Sequence, residues 1–581
     1  MSLFIKIRNV LDFKNSVSLI FLFFFLIIIS ILEVIGIGLI PILFSVIIGN
    51  NLFTYNISID FINKFFQINT NNNLLIYLSI FIIIFFLIKN IIFAYSIFFQ
   101  GKVIKDIKIS FSKRLLEFYI QKNYLYLLKK NSSILVRTLI VDVGNSTIYI
   151  LHIINFLRDF FILLAITILL FISNPNISLF LFSIFSIVVL FFYKINKKNF
   201  FERGKIIQKL QSDLMRTINE IVGLFKEIKI YNLEKFQEKI YTDKILINEN
   251  QILKNYFISS LPRLLLEFTA VFSIILIVIF SIITKETVAD ILPYLSLVVI
   301  SSLRLMPVFN GISNSLNTLR LIKPSFDLII KELQKYNNNK GDILFQNSKK
   351  IIDFRSSIEM QNVFFNYPGK DRSVIYDLSL VIKKGDKLGI IGPSGTGKST
   401  LVNLIVGLIK PTSGHIIING KNFISKENII LNNVGYVPQE IYLTDDTIKK
   451  NIAIGLKDDE IDEQKLVECT KLSQIYDFIK TLPSNFNTVV GERGQNFSVG
   501  QKQRIGVARA LYRNPELLIF DESTSSLDSA TEKSFINDIF RMNNDKTIIF
   551  ISHKHSALNK CDKIFDLDKK IFITKSNNIL K

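Results

Sequence analysis

Residues Gly392–Thr400 read GPSGTGKST, and the fold of the C-terminal part of the chain follows from what flanks them. Lys387–Ile391, KLGII, is an apolar run that reads as a buried strand, and the following LVNLIVGL has the apolar period of a helix. Strand, glycine-rich turn and helix N-terminus together are the context a phosphate-binding loop requires. Gly392, Gly395 and Gly397 let the backbone wrap an anion and turn its N–H groups inward. The helix N-terminus adds positive potential where the phosphates would lie. Lys398 is placed to reach terminal phosphates as a point charge, and Ser399 to offer a hydroxyl to Mg²⁺. The reading is a site for a nucleoside triphosphate.

Further along, Leu517–Phe520 is a second buried-strand pattern, and it ends in Asp521-Glu522. A carboxylate at the end of such a strand can hold the water shell of Mg²⁺, and its neighbour can polarise an attacking water. From Ile358 onward, strand and helix signals alternate, which predicts an α/β domain with a mainly parallel core.

Phe497–Leu511, FSVGQKQRIGVARAL, followed by DESTSSLD, resembles the ATPase of ATP-binding-cassette (ABC) transporters. The family's other motifs follow in order and spacing. The resemblance implies that Tyr367 in VFFNYP stacks on adenine, and that Gln439 in YVPQ links the γ-phosphate and Mg²⁺ to the membrane domain. Gly491-Glu492-Arg493-Gly494 is similar to the exporter loop that precedes the signature. Asp528 matches the loop that meets the opposite subunit, and His553 in ISHKH the switch histidine. The implied cofactors are ATP and Mg²⁺. The implied catalytic residues are Glu522, His553 and Gln439, with Ser399, Gln439 and Asp521 at the metal. Nucleotide contacts are implied at Tyr367, at Gly392, Ser394, Gly395, Thr396, Gly397, Lys398, Ser399 and Thr400, and at Ser498, Gly500, Gln501 and Asp528. One departure is Val499, where the family usually has the first glycine of its LSGGQ signature; Ser498 and Gly500 remain.

The rest of the chain is of another kind. Its 581 residues include 52 Phe and no Trp, and mean hydropathy is +0.38, with the apolar content concentrated before about residue 310. Apolar stretches over 17–48, 74–99, 148–173, 177–196, 257–283 and 291–311 are each long enough to cross a bilayer. The first and third exceed a single crossing and are expected to tilt or project. Lys102, Lys105, Lys108, Lys113, Arg114, Lys122, Lys129, Lys130 and Arg137 fill the loop after the second span, and Lys194 to Arg216 the loop after the fourth. Lys64 and Lys285 stand alone in two of the opposite loops. By the positive-inside rule, both termini and the two basic loops are cytoplasmic, and unbroken helical periodicity carries the spans into the cytosol. The net charge is +21, and its placement fits the cytosolic loops of a membrane protein better than a nucleic-acid surface, so no nucleic-acid partner is expected. Cys469 and Cys561 lack metal-ligand spacing and read as free cytosolic thiols. The first apolar run lacks a small-residue cleavage site, so no cleavable signal peptide is expected.

Residues 2–14 read as an amphipathic helix at the cytoplasmic interface, and Phe61, Ile62, Phe65 and Phe66 as one face of a helix on the outer surface, an Asn-rich loop being the alternative there. The expected division is a transmembrane domain over 1–331, a polar linker over 332–355 and an ABC domain over 356–581. The fold class is thus an α-helical membrane domain of six extended helices plus an α/β ATPase domain.

Six spans and one cassette are similar to an exporter half-transporter. NYLYLLKKNSSILVRTL and GLFKEIKIYNLEKF are similar to the coupling-helix regions of bacterial lipid and oligosaccharide flippases, lipid A exporters among them. The resemblance implies a second subunit, with a homodimer favoured because both Glu522 and His553 are present. It also implies a lipid or glycolipid substrate and a place in the cytoplasmic membrane. Glu33, Lys89, Arg158, Asp159, Arg263, Glu267 and Arg304 fall in or at the ends of spans. Each is costly there, so they either line a cavity for an anionic head group or form ion pairs, Arg263 with Glu267 for one. A multidrug or peptide exporter of the same fold, and an ATP-gated channel, remain as alternatives. The residues before Val17 are too few for the N-terminal protease domain that a peptide-processing exporter brings.

Overall fold

The computed structural model describes residues 10–48, 71–173, 175–283, 288–338, 350–369, 372–423, 429–523, 529–542, 545–552 and 558–573. The segment around Phe61–Phe66, residues 1–9, Asp528 and His553 lie outside the described residues. The chain divides into two compact units, one of residues 1–122 and 126–340, the other of 123–125 and 341–581.

The first unit is built of long helices: α1 Phe13–Ile48, α2 Asn71–Gln121, α3 Val143–Ser173, α4 Pro175–Gly223, α5 Glu234–Ile283 and α6 Val288–Asn338. Each contains one of the stretches read as a span. Among the described residues, those within α1, within α2 and from Ser132 to Ile172 are long and apolar enough to cross a membrane by length and composition. Pro175 opens α4, a position where its missing N–H leaves no bond unmade. Asn232, at φ +55°, turns the chain between α4 and α5. Helix α6 runs on to Asn338, into the polar segment read as a linker, because Leu333 is wholly buried in a core with Phe326, Ile329 and Ile330. A second core joins Ile37 of α1, Ile162 and Ile166 of α3 and Leu305, Phe309 and Ile312 of α6.

The charges within the apolar helices find partners that local spacing does not reveal. Glu33 of α1 accepts from Lys89 of α2 at 2.8 Å and from Arg304 of α6 at 3.0 Å. Lys89 also lies over the Phe86 ring, 4.6 Å from its centroid. Two cations therefore share one carboxylate. Arg158 pairs with its neighbour Asp159 at 2.9 Å, and that buried carboxylate occupies the space a side chain at Gly311 would need. Arg263 and Glu267 are both exposed on α5, and no ion pair between them is found among the described residues. Their four-residue spacing allowed a pair that side-chain direction does not make.

The second unit is the α/β domain. Its strands are β1 Lys350–Asp353, β2 Ser357–Phe365, β3 Ile375–Lys383, β4 Lys387–Ile391, β5 Ser413–Ile418, β6 Lys421–Phe423, β7 Ile429–Asn432, β8 Val434–Val437, β9 Leu517–Asp521, β10 Thr547–Ile551, β11 Lys563–Asp566 and β12 Ile571–Ile573. The central sheet runs β12-β11-β4-β10-β9-β8, parallel except at β12. A separate antiparallel sheet runs β3-β2-β5-β6, and β1 pairs with β7. Every residue of β9 and β10 is buried, as expected of parallel strands covered on both faces. Their period of two splits the core: Leu518, Phe520, Ile548 and Phe550 join one cluster, Leu517, Ile519, Ile549 and Ile551 the other. Phe520 and Phe550 stack with centroids 4.5 Å apart. Three helices matter for the site: α7 Lys398–Ile405 after β4, α8 Val499–Tyr512 before β9, and α9 Ser529–Met542 after it.

Candidate nucleotide-binding site

In an open parallel sheet, ligands bind at the carboxyl ends of the strands. Here β4, β10, β9 and β8 are neighbours in the sheet, and each leads into a segment read as functional: the glycine loop, the ISHKH segment that starts at Ile551, Asp521-Glu522, and Pro438-Gln439. The sequence spreads these segments over more than a hundred residues, and the strand order brings them to one edge.

The loop meets α7 through Gly397, its N-cap, at φ +96°. A Cβ there would sit 2.9 Å from Val374 Cγ1 and 3.0 Å from Ile375 Cδ1, so the position excludes a side chain twice over. Gly395 has φ +86° but open space around it. Gly397→Ala should therefore lower stability by about 1–2 kcal/mol or more, and Gly395→Ala by less. Thermal melting of the solubilised chain checks this, and equal shifts for the two would mean that crowding by Val374 plays no part.

Lys398 is buried, and its ammonium donates to the carbonyl of Gly392 at 2.8 Å and to that of Pro393 at 3.4 Å. It also lies 3.5 Å from Glu522. Thr396 Oγ1 donates to the Pro393 carbonyl at 2.9 Å, which closes the turn on itself. Thr400 Oγ1 bonds the hydroxyl of Tyr367 at 3.1 Å, so the aromatic expected to stack on adenine borders the loop helix. The Tyr367 ring stands edge-on to Phe365, with centroids 5.0 Å apart.

Asp521 is buried, and burial pushes its carboxyl up from the ordinary range, against hydrogen bonds from Ser399 and Tyr436 that favour the charged form. Glu522 follows at φ +50°, a left-handed conformation that costs a non-glycine residue about 1–2 kcal/mol. Its N–H donates to the Ile551 carbonyl at 3.0 Å, and its Oε2 accepts from Gln439 Nε2 at 2.9 Å. Strain of this kind concentrates at functional sites, where surrounding bonds fix the conformation. Lys398, Ser399, Gln439, Asp521 and Glu522 thus form one connected group. A hydroxyl and a carboxylate are hard oxygen donors, suited to Mg²⁺ completed by phosphate oxygens and water. No group of three or more His, Cys, Asp or Glu that could hold a metal is found among the described residues.

Ser498 and Gln501 are engaged with each other. Ser498 caps α8 by accepting from the Gln501 N–H at 3.2 Å, while its own N–H donates to Gln501 Oε1 at 2.8 Å. This reciprocal box defines the start of the helix, and Val499, 63% exposed, is its first residue. The substitution at Val499 is thus borne on an open helix N-terminus with no core to disturb.

Residues 375–525 match the family model described as ABC transporter. The putative multidrug export ATP-binding/permease protein YgaD of Bacillus subtilis is 30% identical over 417 residues, which are 71% of this chain and 70% of that protein. The chain belongs to the ABC transporter family. The α/β unit is that family's ATPase domain. ABC multidrug transporter atrD of Emericella nidulans is 39% identical over 227 residues, covering 39% of this chain, and the match spans only 17% of that longer protein. The structure of a bacterial Atm1-family ABC exporter with ATP bound superimposes with a TM-score of 0.70 over 96% of this chain and 94% of that one, at 21% identity. The chain therefore has the ABC exporter fold.

Two residues at the ABC site were not singled out by sequence. Arg509 of α8 donates to the Asn451 carbonyl at 2.7 Å and the Tyr442 carbonyl at 3.0 Å, fastening the signature helix to the segment after Gln439. Tyr436 reaches Asp521 Oδ2 at 3.3 Å. An arginine in a helix and a tyrosine in a strand carry no spacing signal; only the tertiary pairing reveals them.

Proposed function

We propose that the chain is one half of a dimeric ABC exporter that hydrolyses Mg²⁺-ATP to move an anionic amphipathic lipid, a lipid-linked saccharide, outward across the cytoplasmic membrane. The observation that carries the substrate class is the pairing of two cations, Lys89 and Arg304, with a single carboxylate, Glu33. Among the described residues this cluster carries one positive charge in excess within apolar helices, where an unbalanced charge is costly, and a phosphate or pyrophosphate head would balance it. Arg304 is the accessible member, with its side chain 47% exposed. Arg263 is a further exposed cation on an apolar helix.

In the ATPase domain, Lys398 would turn from the carbonyls of Gly392 and Pro393 to the terminal phosphates. Ser399 and Asp521 would hold Mg²⁺, which when bound offsets the phosphate charge. Glu522 would draw a proton from the attacking water, with Gln439 keeping it oriented. Asp528 and His553 complete this assignment by resemblance. Ser498, Gly500 and Gln501, at the start of their own helix, would face the ATP of a second copy, giving a homodimer with two composite sites. A strict monomer that hydrolyses ATP at full rate would contradict the dimer.

The names of the relatives favour a second reading, a multidrug exporter of the same fold. Mass spectrometry of lipids copurifying with the Glu522→Gln variant separates the two. A phosphate-bearing lipid enriched over the bulk membrane, and reduced about tenfold by Arg304→Ala, is the expected result. Uncharged hydrophobic cargo with no lipid enrichment would favour the second.

A further inference from the structure

We propose that Tyr436 is a positioning residue for the metal carboxylate: its hydroxyl, donated to one oxygen of Asp521, fixes which face of that carboxylate is turned to Ser399. The inference rests on the reading of Asp521 as the group that holds Mg²⁺.

Strand β8 lies parallel to β9 with Tyr436 beside Ile519. Side chains two apart in a strand share a face, so Tyr436, level with Ile519, stands on the face that carries Asp521, two residues further along β9. Two residues of a strand advance roughly 6.6 Å, about the length of a tyrosine side chain, so the ring lies along the strand with its hydroxyl at the carboxylate. The observed contact is 3.3 Å to Oδ2. A phenylalanine would make the same traverse with nothing to donate at its end.

Packing does not explain the residue. Tyr436 is 38% exposed while Val437 beside it is wholly buried, so the ring adds little to the core and its polar end is what faces inward. Asp521 is only 4% exposed and also bonds Ser399. A carboxylate held at one oxygen by a donor outside the metal shell has a restricted rotamer, and its remaining lone pairs are directed. The same short segment grips the next acid as well, for Gln439 donates to Glu522 at 2.9 Å, and Pro438 stiffens the backbone between the two holds. Any movement of this segment reaches both acids at once, the metal carboxylate through Tyr436 and the water-polarising one through Gln439.

The test uses the full-length protein in nanodiscs. With the Glu522→Gln chain as parent, Mn²⁺ binding in the presence of saturating ATP is followed by electron paramagnetic resonance, and ATP binding is measured separately in EDTA. Tyr436→Phe should raise the Mn²⁺ half-saturation point about tenfold, with metal-free ATP affinity and melting temperature unchanged within error. In the hydrolysing chain, the same substitution should raise the Mg²⁺ concentration for half-maximal turnover by a similar factor, while kcat at saturating Mg²⁺ stays within about threefold of the original. A Mn²⁺ midpoint within twofold of the parent would overturn the proposal. So would a fall in kcat or melting temperature with the metal midpoint unmoved, since that is what a merely structural tyrosine predicts. A parent that takes up no Mn²⁺ with ATP would instead remove the metal role of Asp521, and Tyr436 with it.

Discussion

Glu522→Gln should cut steady-state ATP turnover by about a thousandfold while leaving ATP bound. The backbone of Glu522 is fixed by its N–H donating to the Ile551 carbonyl, and its carboxylate is held by Gln439 at 2.9 Å and Lys398 at 3.5 Å. A glutamine of the same shape can still accept from Gln439, so the strained turn at φ +50° and the end of β9 survive the change. What is lost is the charge that draws a proton from water. Removing a negative group beside Lys398 also leaves that ammonium freer to pair with phosphate, so ATP affinity should hold or rise. Single-turnover hydrolysis and retention of labelled ATP on the purified protein measure both effects. Turnover within tenfold of the original would mean that another group is the base.

Lys398→Ala should act on the other quantity and weaken ATP binding by roughly 30- to 100-fold, the equivalent of about 2–3 kcal/mol for a lost charge-assisted contact. Its ammonium now satisfies carbonyls of its own loop, at 2.8 and 3.4 Å, so the substitution removes the phosphate partner and also loosens the turn. Alanine is a good residue for the first turn of α7, so the helix itself should not suffer. Lys398→Arg should not restore binding, because a planar fork cannot occupy a site shaped for a single point charge. Equilibrium binding of a fluorescent ATP analogue reads the change, and affinity equal to the original would show that Lys398 serves only to cap its loop.

Much of this was legible in the sequence because it is local. The strand before Gly392, the glycines of the turn and the helix after Lys398 are contiguous, and β9 ends at Asp521-Glu522 as its apolar run implies. The long helices follow equally from unbroken apolar stretches. The extent of α6 did not: the polar composition after Glu332 reads as linker, yet burial of Leu333 holds a further turn in the helix. The ion pairs were also beyond reach. The charges at 33, 89 and 304 are visible in the sequence, but which cation meets which carboxylate depends on three helices packing together. The spacing of Arg263 and Glu267 pointed to a pair that the side chains do not form. Tyr436 was hidden for a related reason, since its role depends on the parallel register with β9 and on a contact made 85 residues along the chain.

The central claim is that ATP hydrolysis by this chain moves an anionic lipid outward. The most direct measurement is translocation of a labelled lipid-linked saccharide in proteoliposomes. It is run with and without ATP, for the unmodified chain and for Arg263→Ala and Arg304→Ala. ATP-dependent movement by the unmodified chain, lowered about tenfold or more in the Arg304→Ala variant, is the predicted result. Translocation equal in all three chains would contradict the role of the cations, and ATP-driven export of uncharged hydrophobic compounds with no movement of the lipid would contradict the substrate itself.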